Sequence, residues 1–202
     1  MDAEIRFDDV AIFRTIVGPI ANNVFIVQCR STGDSILIDA ANEHDKLLEL
    51  ATTLGVKRVV ETHGHWDHIG AVEAVRNAGI DVAVSSQDAH RLPSYDQIIE
   101  DEQVIPFGRQ SLKVLFTPGH TEGSLCFELV DHPVIFSGDT LFPGGPGATN
   151  FEGGDFPTII QSIETRLFKP YPKETIVLPG HGNFTSLGIE SPHLEEWIER
   201  GW

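Results

Sequence analysis

The chain has 202 residues with 41% hydrophobic content, which suits a globular protein with a packed core. Its formal net charge of −16 argues against nucleic acid and anionic membranes as partners, because both favour surfaces rich in Lys and Arg. The apolar runs fall short of the roughly 20 residues that cross a bilayer, and the acidic N-terminus lacks the form of a signal peptide. The sequence therefore predicts a cytoplasmic protein.

The first sixty residues predict an antiparallel meander, a helix and a short strand. Three strands are expected over residues 12–17, 24–29 and 35–39. Asn42 is placed to cap the next helix, whose leucines repeat at helical spacing, and Gly55 is placed to end it. Val59 and Val60 then predict a short buried strand.

The rest of the chain alternates helices and strands. Helices are expected over residues 69–77, 87–92, 159–167 and 194–199, and strands over 80–84, 104–107, 112–116, 125–130, 134–136 and 175–178. Residues 95–103 are polar and predict a surface loop, whereas the glycine-rich stretch 141–155 predicts a lid beside a functional site. Two groups of strands separated by helices suggest two sheets packed face to face with helices outside.

The stretch Thr62-His63-Gly64-His65-Trp66-Asp67-His68 places three histidines and one aspartate within six positions, between a strand and a helix. His63 and His65 share a face if the turn is extended, because alternate residues of a strand point the same way. Asp67 and His68 lie past the bend and face another point. One short stretch can thus supply ligands to two neighbouring metal ions. The alternative is a polar loop in which the histidines occur by chance.

Three further strands end in a small-residue turn that carries a ligand-type side chain, namely His120, Asp139 and His181. Strand ends that deliver polar side chains to one cleft are a common way to build a site. Seven candidate ligands are too many for one tetrahedral ion and suit two ions about 3.5–4 Å apart. Such a pair acidifies a water and polarises a carbonyl, so hydrolysis of an ester-like bond is the chemistry indicated.

The chain resembles the metallo-β-lactamase-fold hydrolases, and within them the short glyoxalase II-like (hydroxyacylglutathione hydrolase-like) proteins. The resemblance covers nearly the whole chain. It rests on Leu37-Ile38-Asp39-Ala40, Thr62 to His68, Thr117-Pro118-Gly119-His120-Thr121-Glu122-Gly123-Ser124, Gly138-Asp139-Thr140-Leu141-Phe142 and Leu178-Pro179-Gly180-His181-Gly182. It implies an α/β fold, an αββα sandwich of two mixed β-sheets with helices on the outer faces, as a single domain over residues 1–202.

The resemblance also implies a role for each candidate ligand. His63, His65 and His120 would hold the first metal, and Asp67, His68 and His181 the second. Asp139 would bridge both, and Asp67 would orient a metal-bridging hydroxide that acts as nucleophile. Two divalent ions are expected, with Zn²⁺ favoured and iron or manganese open. Asp39 is expected in the shell behind the ligands, although it can equally be a helix cap or a surface carboxylate.

Two departures from the longer glyoxalase II proteins concern the substrate. Those proteins carry a further C-terminal helical region that helps to bind glutathione, whereas this chain ends at Trp202 soon after the last ligand. They also place a cationic residue and a tyrosine after the bridging aspartate, and the stretch 144–153 has neither. These departures argue against a glutathione thioester. The candidates for lining a substrate pocket are Phe142, Asn150, Phe151 and Phe184.

Other activities on the same motifs stay open. Persulfide dioxygenases also resemble this sequence and bind one iron through residues that correspond to His63, His120 and Asp139. A lactonase is a further alternative. The expected partner in every case is a small-molecule substrate, and the oligomeric state is not indicated by the sequence.

Overall fold

The structure is a computed structural model, and it describes residues 4–201. The strands are β1 Ile5–Arg6, β2 Val10–Val17, β3 Asn22–Cys29, β4 Ser35–Ile38, β5 Val56–Val60, β6 Asp81–Ser85, β7 Gln97–Ile99, β8 Val104–Phe107, β9 Gln110–Phe116, β10 Leu125–Leu129, β11 Val134–Gly138, β12 Leu141–Phe142, β13 Gly145–Pro146, β14 Ile176–Pro179 and β15 Thr185–Ser186. The α-helices are α1 His44–Leu54, α2 Val72–Asn77, α3 Phe156–Ser162, α4 Leu187–Glu190 and α5 Leu194–Arg200. Short 3₁₀ turns cover Ala89–Arg91 and Ser191–His193, and a π-helical segment, Ile163–Phe168, continues α3.

Two mixed sheets make up the centre of the molecule. The first has the order β1-β2-β3-β4-β5-β6-β7, in which β1 to β4 pair antiparallel and β4 to β7 pair parallel. The second has the order β15-β14-β11-β10-β9-β8, and only β11 and β14 pair parallel. The carboxyl ends of parallel neighbours lie at one edge of a sheet, so each sheet collects several strand ends at a single edge.

The core lies between the two sheets. In β2, Val10 and Ile12 face the other sheet, whereas Ala11 and Phe13 face the opposite way, towards the helices. Phe25 of β3 meets Phe136 of β11 across the interface, with ring centroids 5.4 Å apart. Both faces of the central strands are therefore buried, which explains why they read as nearly continuous apolar runs.

Helices cover both outer faces. Leu47 of α1 and Val72 of α2 pack with the outer side chains of the first sheet. Ile159 of α3 and Trp197 of α5 pack with those of the second. The layers are thus helix, sheet, sheet, helix, and the predicted αββα sandwich is confirmed. None of the helices within residues 4–201 combines the length and apolar character needed to span a bilayer.

Two local predictions were wrong. The stretch 95–103, expected to be a loop, contains the edge strand β7, which buries Ile99 while Ile98 stays exposed. Asn42 does not cap α1, because the N-cap position of this helix is Glu43, which has a left-handed backbone conformation. No side chain caps this end of the helix. The helix predicted from Ile159, Ile160, Ile163 and Leu167 is confirmed. It begins at Phe156, where the Asp155 carboxylate accepts a hydrogen bond from the Thr158 N–H, and it continues as the π-helical segment Ile163–Phe168.

Candidate metal centre

The candidate ligands gather where the carboxyl ends of the parallel strands of both sheets meet. Asp39 follows β4, His63 lies three residues beyond β5, Asp139 follows β11, and His181 lies two residues beyond β14. The start of β3 joins the two sheets at this edge, because the Asn23 N–H donates to the Gly180 carbonyl at 2.7 Å. One edge of the sandwich therefore presents side chains from two sheets to one point.

Three histidines form the first group. His63 Nε2 and His65 Nδ1 are 3.1 Å apart. The His120 ring lies 4.7 Å from the His63 ring and 4.6 Å from the His65 ring, centroid to centroid. One ring nitrogen from each lies within 4.8 Å of the others, which is close enough for one ion to contact all three.

Asp67, His68 and His181 form the second group. The Asp67 Oδ2 atom lies 3.2 Å from His68 Nε2 and 3.3 Å from His181 Nε2. Their candidate ligand atoms also lie within 4.8 Å of one another. The Asn22 side chain donates to the same Asp67 oxygen at 2.8 Å, so the carboxylate is fixed between β3 and the two histidines.

The Asp139 carboxylate lies between the two groups. Its Oδ1 atom is 3.5 Å from His68 Nε2, and its Oδ2 atom is 3.7 Å from His120 Nε2 and 3.6 Å from His181 Nε2. One carboxylate thus contacts a member of the first group and two members of the second. The seven predicted residues form one contiguous cluster at the sheet edge.

Four of the histidines are oriented by a hydrogen bond that involves Nδ1, which turns Nε2 towards the cluster. The partners are Thr62 Oγ1 for His63 at 3.0 Å, Asp39 Oδ2 for His68 at 2.8 Å, the Ala148 carbonyl for His120 at 2.7 Å and the Ile20 carbonyl for His181 at 3.2 Å. A partner on the second ring nitrogen is typical of metal-binding histidines, because it fixes both tautomer and ring direction.

Several atoms inside the cluster are buried without a hydrogen-bond partner. They are Nε2 of His68, Nε2 of His120 and Oδ1 of Asp139. Each such buried polar atom costs about 1–3 kcal/mol unless something satisfies it. Divalent cations in the cluster would satisfy all three atoms, so the residues present fit a metal centre.

Two histidines of the first group have protonation states that are compatible with metal binding. Burial and the nearby His68 hold the pKa of His63 well below its usual range. Burial and the nearby His120 lower the pKa of His65 to about 4. Both imidazoles are therefore neutral at neutral pH, which is the form that binds a metal.

Asp88 is a supporting residue that sequence reasoning missed. Its side chain is fully buried and accepts hydrogen bonds from the Gly64 N–H at 2.8 Å, the Thr121 hydroxyl at 2.8 Å and the Gly123 N–H at 3.1 Å. It thus ties the segment that carries His63 and His65 to the segment that carries His120. In the sequence it follows Ser85-Ser86-Gln87 and looks like a surface residue.

Asp39 and Glu61 also support the cluster from behind. Asp39 adopts a left-handed backbone conformation, with φ of 65°, and accepts from the Thr62 N–H at 2.6 Å as well as from His68. Glu61 is fully buried and accepts from the Ala40 N–H at 3.1 Å. Burial and the Asp39 charge raise the pKa of Glu61 well above its usual range.

A cleft of about 370 Å³ opens onto the cluster. It is lined by Ile20, His65, Trp66, Asp67, His120, Asp139, Phe151 and His181. Of the four residues predicted to line a substrate pocket, Phe151 lies in the cleft wall. Phe142 stacks on His181 in an adjoining depression, with ring centroids 6.4 Å apart.

The other two predicted pocket residues lie elsewhere. Asn150 is exposed and does not line the cleft. Phe184 packs against Phe25 at the edge of the core, with ring centroids 6.0 Å apart, and the Arg14 guanidinium lies over its other side. Phe184 immediately precedes β15, and its ring packs against the core instead of lining the cleft.

Residues 17–181 match the family model described as the metallo-beta-lactamase superfamily. The chain belongs to this superfamily. Hydroxyacylglutathione hydrolase GloC of Haemophilus influenzae is 31% identical over 179 residues, which cover 78% of this chain and 84% of that protein. A resemblance to glyoxalase II proteins is thereby confirmed.

Solved structures of the superfamily share the fold. The BLEG-1 B3 metallo-β-lactamase superposes with a TM-score of 0.83 at 28% identity, over 90% of this chain and 97% of its own. The TTHA1623 protein, solved in a di-iron-bound form, superposes with a TM-score of 0.79 at 31% identity, over 89% and 96% of the two chains. The membership supports a hydrolase with a His and Asp metal cluster.

Proposed function

We propose that this metallo-β-lactamase-superfamily protein is a binuclear metal-dependent hydrolase that acts on a thioester or a related ester. The observation that carries the proposal is the position of Asp139, whose carboxylate lies 3.7 Å from His120 of the first group and 3.5–3.6 Å from His68 and His181 of the second. The di-iron form of the TTHA1623 structure, at 31% identity, supports a two-metal centre.

In this proposal each residue has a defined role. His63, His65 and His120 would hold one ion, Asp67, His68 and His181 would hold the other, and Asp139 would be shared by both. When bound, the two ions supply an acidified water and a Lewis acid for the carbonyl. Zn²⁺ suits a set of imidazole and carboxylate ligands, and iron or manganese suits it too.

Asp67 orients the attacking water. Its Oδ2 atom is fixed by the Asn22 amide at 2.8 Å and faces the cleft beside Asp139. Although burial opposes the shift, hydrogen bonds from His181 and His68 hold the pKa of Asp67 far below its usual range, so it stays an acceptor. Attack on the acyl carbon forms a C–O bond and breaks the bond to sulfur or oxygen, and the proton of water leaves with the thiol or alcohol.

The test combines metal content with hydrolysis. Protein purified without added chelator or metal should contain about two equivalents of zinc, or of zinc and iron together, and should hydrolyse simple thioesters. Asp139→Ala should retain about one equivalent or fewer and lose roughly 100-fold or more in kcat/KM. Asp45→Ala, an exposed carboxylate on α1, is the matched control.

Two results contradict the proposal. The first is an Asp139→Ala protein that keeps both metals and wild-type turnover. The second is a wild-type protein with about one equivalent of iron, little zinc and oxygen uptake with a persulfide, which would establish the dioxygenase alternative.

A further inference from the structure

The wall of the cleft carries large apolar side chains that are not candidate metal ligands. Three large hydrophobic side chains line it and are solvent-exposed, Ile20 at 49%, Trp66 at 64% and Phe151 at 57%. They come from three separate segments, the β2–β3 turn, the His65-to-Asp67 stretch and the glycine-rich loop before α3. Exposed apolar side chains that converge on one cleft mark a binding surface.

Two of these residues contact candidate ligands directly. The Ile20 carbonyl accepts from His181 Nδ1 at 3.2 Å. The Phe151 ring meets the His65 ring edge-on, with centroids 5.7 Å apart. The apolar wall therefore begins directly beside the candidate metal ligands.

No cation complements this wall. Among residues 4–201, neither Lys nor Arg lines the cleft, which instead contains the carboxylates of Asp67 and Asp139. Arg91 donates to the Glu152 carbonyl at 3.1 Å and lies 3.8 Å from the Asp88 carboxylate. Arg14 lies over the Phe184 ring and pairs with Glu4 at 3.6 Å. An anionic substrate would meet an acidic protein without a partner for its charge.

We propose that the cleft selects substrates whose groups on both sides of the thioester or ester are apolar and uncharged, with Ile20, Trp66 and Phe151 as the specificity-determining contacts. This inference rests on the proposed hydrolase function. The cleft volume of about 370 Å³ suits a small substrate, since small-molecule pockets span about 300–1,000 Å³.

The experiment uses the metal-loaded protein and a matched pair of thioesters. Both carry the same short acyl group, one on uncharged N-acetylcysteamine and the other on glutathione, which bears two carboxylates. The neutral thioester should have a kcat/KM at least about tenfold higher. Equal values, or a preference for glutathione, overturn the inference. If protein with two metals hydrolyses neither thioester nor an aryl ester, the proposed function fails instead.

Variants test the named contacts. Ile20→Ala and Phe151→Ala should each lower kcat/KM for the neutral thioester by about three- to tenfold, through KM, since each removes apolar contact area. Ile198→Ala is the matched control, because Ile198 is 51% exposed on α5 and lies outside the cleft. An equal effect of the Ile20 and Ile198 changes would contradict the assignment.

A positive charge introduced at the wall gives an independent readout. Phe151→Arg should raise the ratio of kcat/KM for the glutathione thioester over the neutral thioester by about tenfold, because it supplies the missing cation. The ratio is measured within one preparation, so it does not depend on the fraction of folded protein. A ratio unchanged from wild type would place substrate binding away from Phe151.

Discussion

Replacing Asp88 by asparagine tests whether a residue outside the candidate ligands positions half of them. Asp88 Oδ2 accepts from the Gly64 N–H and the Thr121 hydroxyl, and Oδ1 accepts from the Gly123 N–H. An asparagine can keep its oxygen at the Oδ2 position. Its NH₂ group then faces the Gly123 N–H, so two donors meet in a fully buried site.

The magnitude follows from these three contacts. One charge-assisted hydrogen bond is lost outright, which is worth about 1.5–3 kcal/mol, and the other two become bonds to a neutral acceptor. Asp88→Asn should therefore lower the free energy of unfolding by roughly 2–4 kcal/mol. Because Asp88 ties the segment of His63 and His65 to that of His120, affinity for the metal of this group should fall by about 10- to 100-fold.

Two assays separate these effects. Urea unfolding of metal-free protein measures the loss of stability, and competition with a chelator measures the affinity of each metal site. The second group of ligands does not contact Asp88, so its metal should be retained. Asp8→Asn is the control, because this exposed change alters the net charge equally. Asp88→Asn protein with wild-type stability and two wild-type metal affinities would refute the positioning role.

Three further predictions concern the cluster and one surface pair. Gly180→Ala should lower kcat/KM at least about tenfold with little change in fold, because the added methyl would meet the Asp139 carboxylate and lie 2.8 Å from His68. Measurements of metal content and activity test this prediction. Chelation should lower the free energy of unfolding by about 3 kcal/mol for each metal removed, relative to protein with free metal at about 100 times the Kd of each site, as measured by urea unfolding. Arg76 donates to Asp96 at 2.8 Å and, with the Val82 N–H, lowers the Asp96 pKa to about 2. Since the pKa of Asp96 in the unfolded chain is about 3.9, Asp96→Asn should lower the free energy of unfolding by up to about 1 kcal/mol at pH 7. The difference in the free energy of unfolding between variant and wild type should shrink as the pH falls from about 4 towards 2, as measured by urea titrations.

The candidate ligands could be predicted from the sequence because their signal is local. His63, His65, Asp67 and His68 lie within one short strand-to-helix connection, and His120 follows a small-residue turn after a recognisable strand. The apolar run Ile12 to Val17 likewise predicts a strand, and β2 confirms it, although β2 begins earlier, at Val10. Local spacing therefore determined both the layers of the fold and the residues that meet at its edge.

The supporting residues could not be predicted because their contacts are distant in sequence. Asp88 lies 24 residues from Gly64 and 33 from Thr121, and Asn22 lies 45 residues from Asp67. Nothing in the neighbouring residues distinguishes these polar side chains from surface ones. The edge strand β7 was missed for a related reason, since its strand conformation depends on parallel pairing with β6 rather than on its own polar composition.

The proposed chemistry and the proposed selectivity are located on different parts of the fold. Asp139 and His181 follow buried parallel strands, which hold their positions rigidly, whereas Ile20 and Phe151 lie on connections whose exposed side chains can change without disturbing the sheets. Trp66 is the exception, because it lies between His65 and Asp67 on the same short segment. We therefore expect changes at Ile20 and Phe151 to alter KM alone and changes at Trp66 to alter kcat and metal affinity as well.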